Sequence, residues 1–277
     1  DLSSGSKENL HPAAEFVELD IRSARLRETF RDRNIDVVIH HAAQMDVRKS
    51  VENPANDADV NILGTLNLLQ NCVAHRVGKF IFASTGGAIY GEQEKFPAGE
   101  DHPLRPVSPY GVSKLSVEKY LHYYHVGCGL QYVALRYANV YGPRQNAHGE
   151  AGVVAIFTGK MLAGLHPVIN GDGAQTRDYV FVEDVVAANL AALEAARSGV
   201  FNIGTGIETT VNELFTRLRE LTATGCPETH GPAKKGEQLR SVIDASLARR
   251  MLGWTPRVAL MDGLSRTGEC FRHKANR

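Results

Sequence analysis

Tyr110 and Lys114 stand four residues apart in the stretch Ser108-Pro109-Tyr110-Gly111-Val112-Ser113-Lys114. Ser108 suits a helix N-cap, and Pro109 suits the first turn, where a missing N–H costs nothing. The spacing then predicts both side chains on one helix face. A free tyrosine has a pKa near ~10 and is a poor base at neutral pH. An ammonium beside it favours the phenolate and draws that value toward the working range. On spacing alone, a solvated surface pair is the competing reading, and the segments around the pair must decide.

Those segments alternate between strand-like and helix-like stretches, the pattern of a doubly wound α/β sheet. Glu15–Ile21 reads as a strand and Ser23–Asp32 as a short charged helix. Ile35–Ala42 is a nearly continuous apolar run, as expected of a parallel strand covered on both faces. A long helix is predicted from about Ala55 to Ala74, with Ile62, Leu66 and Leu69 at core spacing. Lys79–Ser84 reads as a buried strand, the Tyr110 helix runs to about His125, and Leu130–Val140 returns as a strand. Beyond Gly142-Pro143-Arg144 the pattern loosens. Helices are expected at Val153–Leu162, Val185–Ala196 and Val211–Leu221, with strands at Pro167–Ile169, Arg177–Val182 and Val200–Gly204. Gly225–Lys235 reads as a turn-rich loop. The expected division is a Rossmann-like part over 1–142, to which 176–206 returns, and a smaller α/β region over 143–175 and 207–277.

At 277 residues the chain is long enough to bury a sizeable core. Lys and Arg number 31, as do Asp and Glu, so no bulk charge points to nucleic acid or to an anionic membrane. No apolar run approaches the length of a membrane span, and the start shows no signal-peptide core. Cys72, Cys128, Cys226 and Cys270 are scattered without metal-type pairing, so no metal is expected and a reduced, cytoplasmic setting is.

A series of motifs surrounds the Tyr/Lys pair. They are DLSSG at the start, Asp20-Ile21, HHAAQ (40–44), Asn61 with Gly64-Thr65, and STGGAIYGE (84–92). After SPYGVSK come RYANVYGPRQ (136–145), GDG with TRDYVFVEDV (176–185), and FNIGTG (201–206). In this order the chain resembles the extended short-chain dehydrogenase/reductases, and within them the UDP-glucose 4-epimerases, from Asp1 to about Leu264. The resemblance implies an NAD cofactor, a UDP-sugar substrate and a homodimer.

It also assigns residues. Asp20 and Ile21 would meet the adenine, and the small residues of Ala42-Ala43-Gln44 would let the backbone approach the cofactor. Asn61 would steady that turn, Lys114 would bond the nicotinamide ribose, and Tyr137 would pack against the nicotinamide. On the sugar-nucleotide side the resemblance places Val153 and Asn139, with Arg177 and Lys234 as a clamp on the diphosphate. Lys234 stands where the family usually has arginine. Glu237 would bind the uridine ribose, and Ser241, a small side chain, would border the C2 substituent of the sugar and leave room for N-acetylhexosamines. Asp172 reads as a turn residue and Asp184 as a helix cap.

One position departs from the family. Where many epimerases carry a serine four residues before Tyr90-Gly91, this chain has Gly86. Thr85 is then the expected hydroxyl relay to the sugar 4-oxygen, with Ser84 in reserve. Gly87 and Ala88 replace the acidic pair of the dehydratases and decarboxylases. No Gly-x-x-Gly-x-x-Gly turn opens the chain, although dinucleotide folds normally begin with one. The resemblance implies a strand–helix–strand unit of about 30 residues ahead of Asp1, and weak folding and cofactor binding without it. Siblings such as UDP-glucuronate 4-epimerases, or a non-catalytic module, are the alternatives.

Overall fold

The computed structural model describes residues 1–147, 152–234 and 238–275. Helix α1 (Leu26–Arg31) leads into strand β1 (Val37–His40), and α2 (Val47–Glu52) precedes α3 (Pro54–Ala58). Five residues, Asp59–Leu63, then form a π-turn that runs directly into α4 (Gly64–Ala74). Strand β2 (Lys79–Thr85), helix α5 (Pro109–Cys128) and strand β3 (Gln131–Tyr137) complete the first half. Later come β4 (Asn139–Tyr141), α6 (Val153–Leu162), β5 (Ile169–Asn170), β6 (Thr176–Phe181), α7 (Val182–Glu194) and β7 (Gly199–Ile203). The chain continues through β8 (Glu208–Thr210), α8 (Val211–Thr222), β9 (His230–Gly231) and β10 (Arg240–Ser241). Helices α9 (Ser246–Leu252) and α10 (Leu260–Ala275) close it.

The main sheet is parallel in the order β1-β2-β3-β7, with β1 at one edge. Strands β2 and β3 are largely buried on both faces, whereas the edge strand β1, expected to be covered on both, leaves Ile39 exposed. Phe80 and Phe82 pack with Leu69, Cys72, Val117 and Leu121 under α4 and α5, while Ile81, Val133 and Leu135 pack with Val185, Ala188 and Trp254 under α7 and α9. A second sheet runs β10-β6-β4 with β8 antiparallel on β6, and β5 pairs with β9. Its core, including Phe157, Leu214, Phe215 and Leu264, lies under α6, α8 and α10. Of the 176–206 stretch, β7 joins the main sheet whereas β6 pairs with β4 in the second.

Two sequence expectations are corrected. The 15–21 stretch forms no strand, because no neighbouring strand lies beside it to complete a ladder among the described residues. The predicted Ala55–Ala74 helix is broken in character by the π-turn. One extra residue per turn rotates the inward face, so Asn61 is buried whereas Ile62 is only half-buried. Helix α5 begins as its sequence predicts: Ser108 Oγ accepts from Gly111 N at 3.2 Å, Pro109 is the first helical residue, and Gly129 ends the helix at φ +74°. Among the described residues no helix is long and apolar enough to cross a membrane.

Candidate active site

Tyr110 and Lys114 share one face of α5, with the ammonium 5.7 Å from the Tyr110 ring centre and 4.7 Å from that of Phe82. Lys114 Nζ donates to the Ala83 carbonyl at 2.8 Å, which anchors it on β2. Burial pushes Tyr110 up to about 12, with the nearby charge of Asp57 adding to the rise. Burial also lowers Lys114 to about 8, against the opposing pull of Asp57. The expectation that Lys114 draws the tyrosine downward is therefore not met by these two groups alone. Loss of water outweighs their mutual effect at this separation.

The Ala42–Gln44 turn follows β1, and Asn61 holds it from both sides. Gln44 N donates to Asn61 Oδ1 at 2.9 Å, and Asn61 Nδ2 donates to the Gln44 carbonyl at 2.8 Å. The π-turn makes this possible by aiming Asn61 inward. Beneath the turn lies Asp57, fully buried. Its Oδ1 accepts from Gln44 Nε2 at 2.9 Å and Asn61 Nδ2 at 3.0 Å, and its Oδ2 accepts from Ser113 Oγ at 2.6 Å. A pinned turn with small side chains fits the close backbone approach that a nicotinamide dinucleotide needs. Ile21 lies against Gly64, where any Cβ would come within 2.7 Å of Ile21 Cδ1. Asp20 is less ready for an adenine: both carboxylate oxygens are taken by Arg22, so that role requires Arg22 to swing aside.

A cleft of about 920 Å³ opens at the C-terminal ends of β2 and β3. Thr85 and Tyr137, partners in the β2–β3 register, both border it, together with Tyr110, Asn139 and Val153. Arg177 and Lys234 border it from the second sheet's side. Parallel-sheet folds bind ligands at this end of their strands. A Cβ on Gly86 would lie 2.7 Å from Ile243 Cδ1 and 3.3 Å from the Tyr137 carbonyl, so a side chain there requires Ile243 to shift. Thr85 is the neighbouring hydroxyl on the cleft.

Three expected residues fare differently. Ser84 borders the cleft, but its hydroxyl donates to Glu118 Oε1 at 2.6 Å, a carboxylate already paired with Arg136 at 2.7 Å. Arg136 in turn donates to Tyr90 Oη at 2.9 Å, and Tyr90 donates to Asn202 Oδ1 at 2.6 Å. Ser84 therefore belongs to a buried network that ties β2, α5, β3 and β7 together, which removes it as a reserve relay. Ser241 is buried on β10 as the register partner of Arg177 on β6, and it is not among the residues that line the cleft. Glu237 lies outside the described residues.

The two aspartates read as structural are so. Asp172 closes a turn onto Ala174 N at 2.9 Å. Asp184 does not cap its own helix; it accepts from Arg257 N at 2.9 Å and Val258 N at 3.1 Å, fixing the loop before α10. The four cysteines are unpaired, and among the described residues no cluster of three metal-ligating side chains forms.

Sequence reasoning missed Asp57, Ser113, His41 and Asn189, as well as Lys160 and Gln175 on the cleft wall. A signal existed for Asp57, which precedes Asn61 by one helical turn and so shares its face. For His41 and Asn189 there was none, because only the fold brings β1 and α7 to Tyr137.

With this geometry in place, comparison with known proteins gives a consistent result. Residues 1–204 match the NAD dependent epimerase/dehydratase family. The chain superposes on the UDP-glucose 4-epimerase of Thermotoga maritima, solved with UDP-glucose, at a TM-score of 0.97 and 49% identity, covering 99% of this chain and 89% of that one. It superposes on the Thermus thermophilus UDP-glucose 4-epimerase in complex with NAD at 0.92 and 42% identity, covering 98% and 89%. The UDP-N-acetylglucosamine 4-epimerase of Methanobrevibacter ruminantium, in complex with UDP-N-acetylmuramic acid, is 34% identical at a TM-score of 0.93, covering 99% and 89%. The chain belongs to the NAD dependent epimerase/dehydratase family.

Proposed function

We propose that this protein interconverts the C4 epimers of a UDP-hexose, UDP-glucose and UDP-galactose, through a 4-keto intermediate. The observation that carries this reading is the single cleft onto which Tyr110, Thr85, Asn139, Arg177 and Lys234 converge. NAD, when bound, supplies a reversible hydride acceptor for C4 and a positive charge that favours the Tyr110 phenolate. Asp20, Ile21, the Ala42–Gln44 turn, Asn61, Tyr110, Lys114 and Tyr137 are the residues that would hold it.

Tyr110 takes the proton from the C4 hydroxyl and returns it, and Thr85 relays that proton at the sugar 4-oxygen. Lys114 is cationic below pH of about 8 and holds its side of the pocket through the Ala83 carbonyl. Arg177 clamps the diphosphate with its planar fork and Lys234 adds a point charge. Asn139 and Val153 flank the sugar-nucleotide between them. Held by its UDP, the keto sugar turns and presents its other face; remote binding energy keeps the intermediate from escaping.

Ser241 is buried and not among the cleft-lining residues, so it gives N-acetylhexosamine substrates no direct support. Those forms rest on the similarity to the Methanobrevibacter enzyme. Residues 1–142 would carry the cofactor side of the site and the second sheet the substrate side, in a cytoplasmic enzyme that suits free cysteines. A homodimer is supported by an apolar groove of about 490 Å³ lined by Pro54, Ala58, Ile62, Val107 and Val112, which joins the π-turn region to α5. Tyr123 and Val126 lie exposed further along α5.

The test is conversion of UDP-galactose by the protein with NAD, with products separated and identified, alongside Tyr110→Phe. The variant is expected to lose turnover while binding UDP-sugar nearly as before. Substantial epimerase activity in Tyr110→Phe would sink the assignment.

A further inference from the structure

Tyr137 borders the same cleft as Tyr110, as do Tyr141 and Tyr179, so more than one phenol stands on the cleft where one proton is to be moved. Their surroundings differ. Tyr137 Oη lies 2.9 Å from Asn189 Nδ2 on α7 and 3.1 Å from His41 Nε2 beyond β1. The imidazole is nearly parallel to the phenol ring, tilted by 18° with centres 6.1 Å apart.

The direction of the Asn189 hydrogens follows from their partners. Asn189 Nδ2 also lies 2.8 Å from the Val185 carbonyl, which can only accept. The amide nitrogen must therefore face that carbonyl, and its two hydrogens are committed to Val185 and to Tyr137. Tyr137 Oη accepts from Asn189 and also meets His41 Nε2. The direction of this second bond turns on the tautomer: a bare Nε2 takes the phenol hydrogen, which places the imidazole proton on Nδ1 and leaves the ring neutral. His41 is an exposed residue, yet partial loss of water around its ring and the charge of Lys114 both lower its proton affinity. Asn189 keeps Oδ1 buried without a partner among the described residues, a cost consistent with an amide fixed by what its nitrogen must do.

We infer that His41 and Asn189 are positioning residues that commit the Tyr137 hydroxyl hydrogen to His41, keeping that phenol out of the proton transfer performed by Tyr110. Tyr137 then offers the cleft a fixed ring and no mobile proton. This inference rests on the epimerase reading for its catalytic consequence, but the hydrogen-bond assignment stands apart from it.

The test has two arms, both on the NAD-bound protein. Nitrogen-15 NMR of histidine-labelled protein, with His41 assigned through the signal lost in His41→Gln, reads the tautomer without any turnover. A neutral ring protonated on Nδ1 is expected; protonation on Nε2, or on both nitrogens at neutral pH, overturns the inference. Kinetics then ask whether the tautomer matters. His41→Phe, which cannot accept, is expected to lower kcat about tenfold at unchanged KM, and His41→Gln, whose amide oxygen accepts, to restore most of it. In a Tyr137→Phe background His41→Phe is expected to change kcat by less than about twofold, since the hydroxyl it controls is gone. An equal loss in both backgrounds overturns the inference. If no UDP-hexose is turned over, the epimerase reading fails while the NMR arm still decides the tautomer.

Discussion

Ser113 donates to Asp57 across 2.6 Å, joining the helix that carries Tyr110 and Lys114 to the turn held by Asn61. The same carboxylate receives Gln44 and Asn61 on its other oxygen, so the Ala42–Gln44 turn and helix α5 share one buried carboxyl group. Ser113→Ala is expected to cost about 1–3 kcal/mol by leaving an acceptor site of a buried carboxylate unfilled. It should also weaken NAD retention, because α5 and the turn are no longer tied. Urea unfolding and the amount of cofactor carried through gel filtration check both. Unchanged retention would show that the tie serves stability alone.

Thr85 and Ser84 are neighbours with opposite commitments, one on the cleft and one donating to Glu118. Thr85→Ala should lower kcat by about 10²–10³, within the range of a positioned proton-transfer group. Ser84→Ala should leave kcat within a few-fold and cost about 1 kcal/mol of stability. Steady-state kinetics with UDP-galactose, beside thermal melts, separate the two, and a reversed order of effects would exchange their roles.

The cleft cations should differ in weight. Arg177 sits in a paired strand, and its guanidinium Nη1 donates to the Thr176 carbonyl at 2.8 Å. Arg177→Ala is expected to weaken UDP-sugar binding by about 2–3 kcal/mol, as for a charge-assisted fork, and Lys234→Ala by about 1 kcal/mol. Titration calorimetry with UDP reads each value directly.

Lys114 makes stability depend on pH in a defined direction. Its folded pKa is lowered to about 8 from 10.5, so folding disfavours its charged form. Below pH 8 both folded and unfolded chains carry the proton, and the fold bears the full cost. Between 8 and 10.5 the folded lysine is neutral while the unfolded one still holds its proton, and the cost fades. Relative to Lys114→Met, the wild type should therefore gain about 3 kcal/mol of stability across that window. Urea unfolding at several pH values follows the difference, and a flat difference would place the lysine in a wetter site.

Much of the site's chemistry was legible because it depends on residue type at a spacing along the chain. Ser108, Pro109, Tyr110 and Lys114 needed only a helix to become a capped start and a shared face, and a helix formed there. The parallel sheet followed from apolar runs separated by helical stretches. The failures have one origin in common: they turn on partners distant in sequence. The Asp59–Leu63 π-turn shifted burial from Ile62 to Asn61, and helical periodicity contains no term for an inserted residue. Ser84 and Thr85 look alike in sequence, yet only the buried Glu118–Arg136 pair tells them apart.

By itself, then, the sequence determined which groups this protein brings to its chemistry, since the order and spacing of its motifs carry both fold class and family. Tertiary structure decided which of those groups are free to act. Burial set Tyr110 and Lys114 away from their ordinary proton affinities. Glu118 committed the Ser84 hydroxyl, and His41 with Asn189 engaged Tyr137. Hydrogen bonds and desolvation act through space, between residues as far apart in the chain as β1 and α7. No reading along the chain contains those distances.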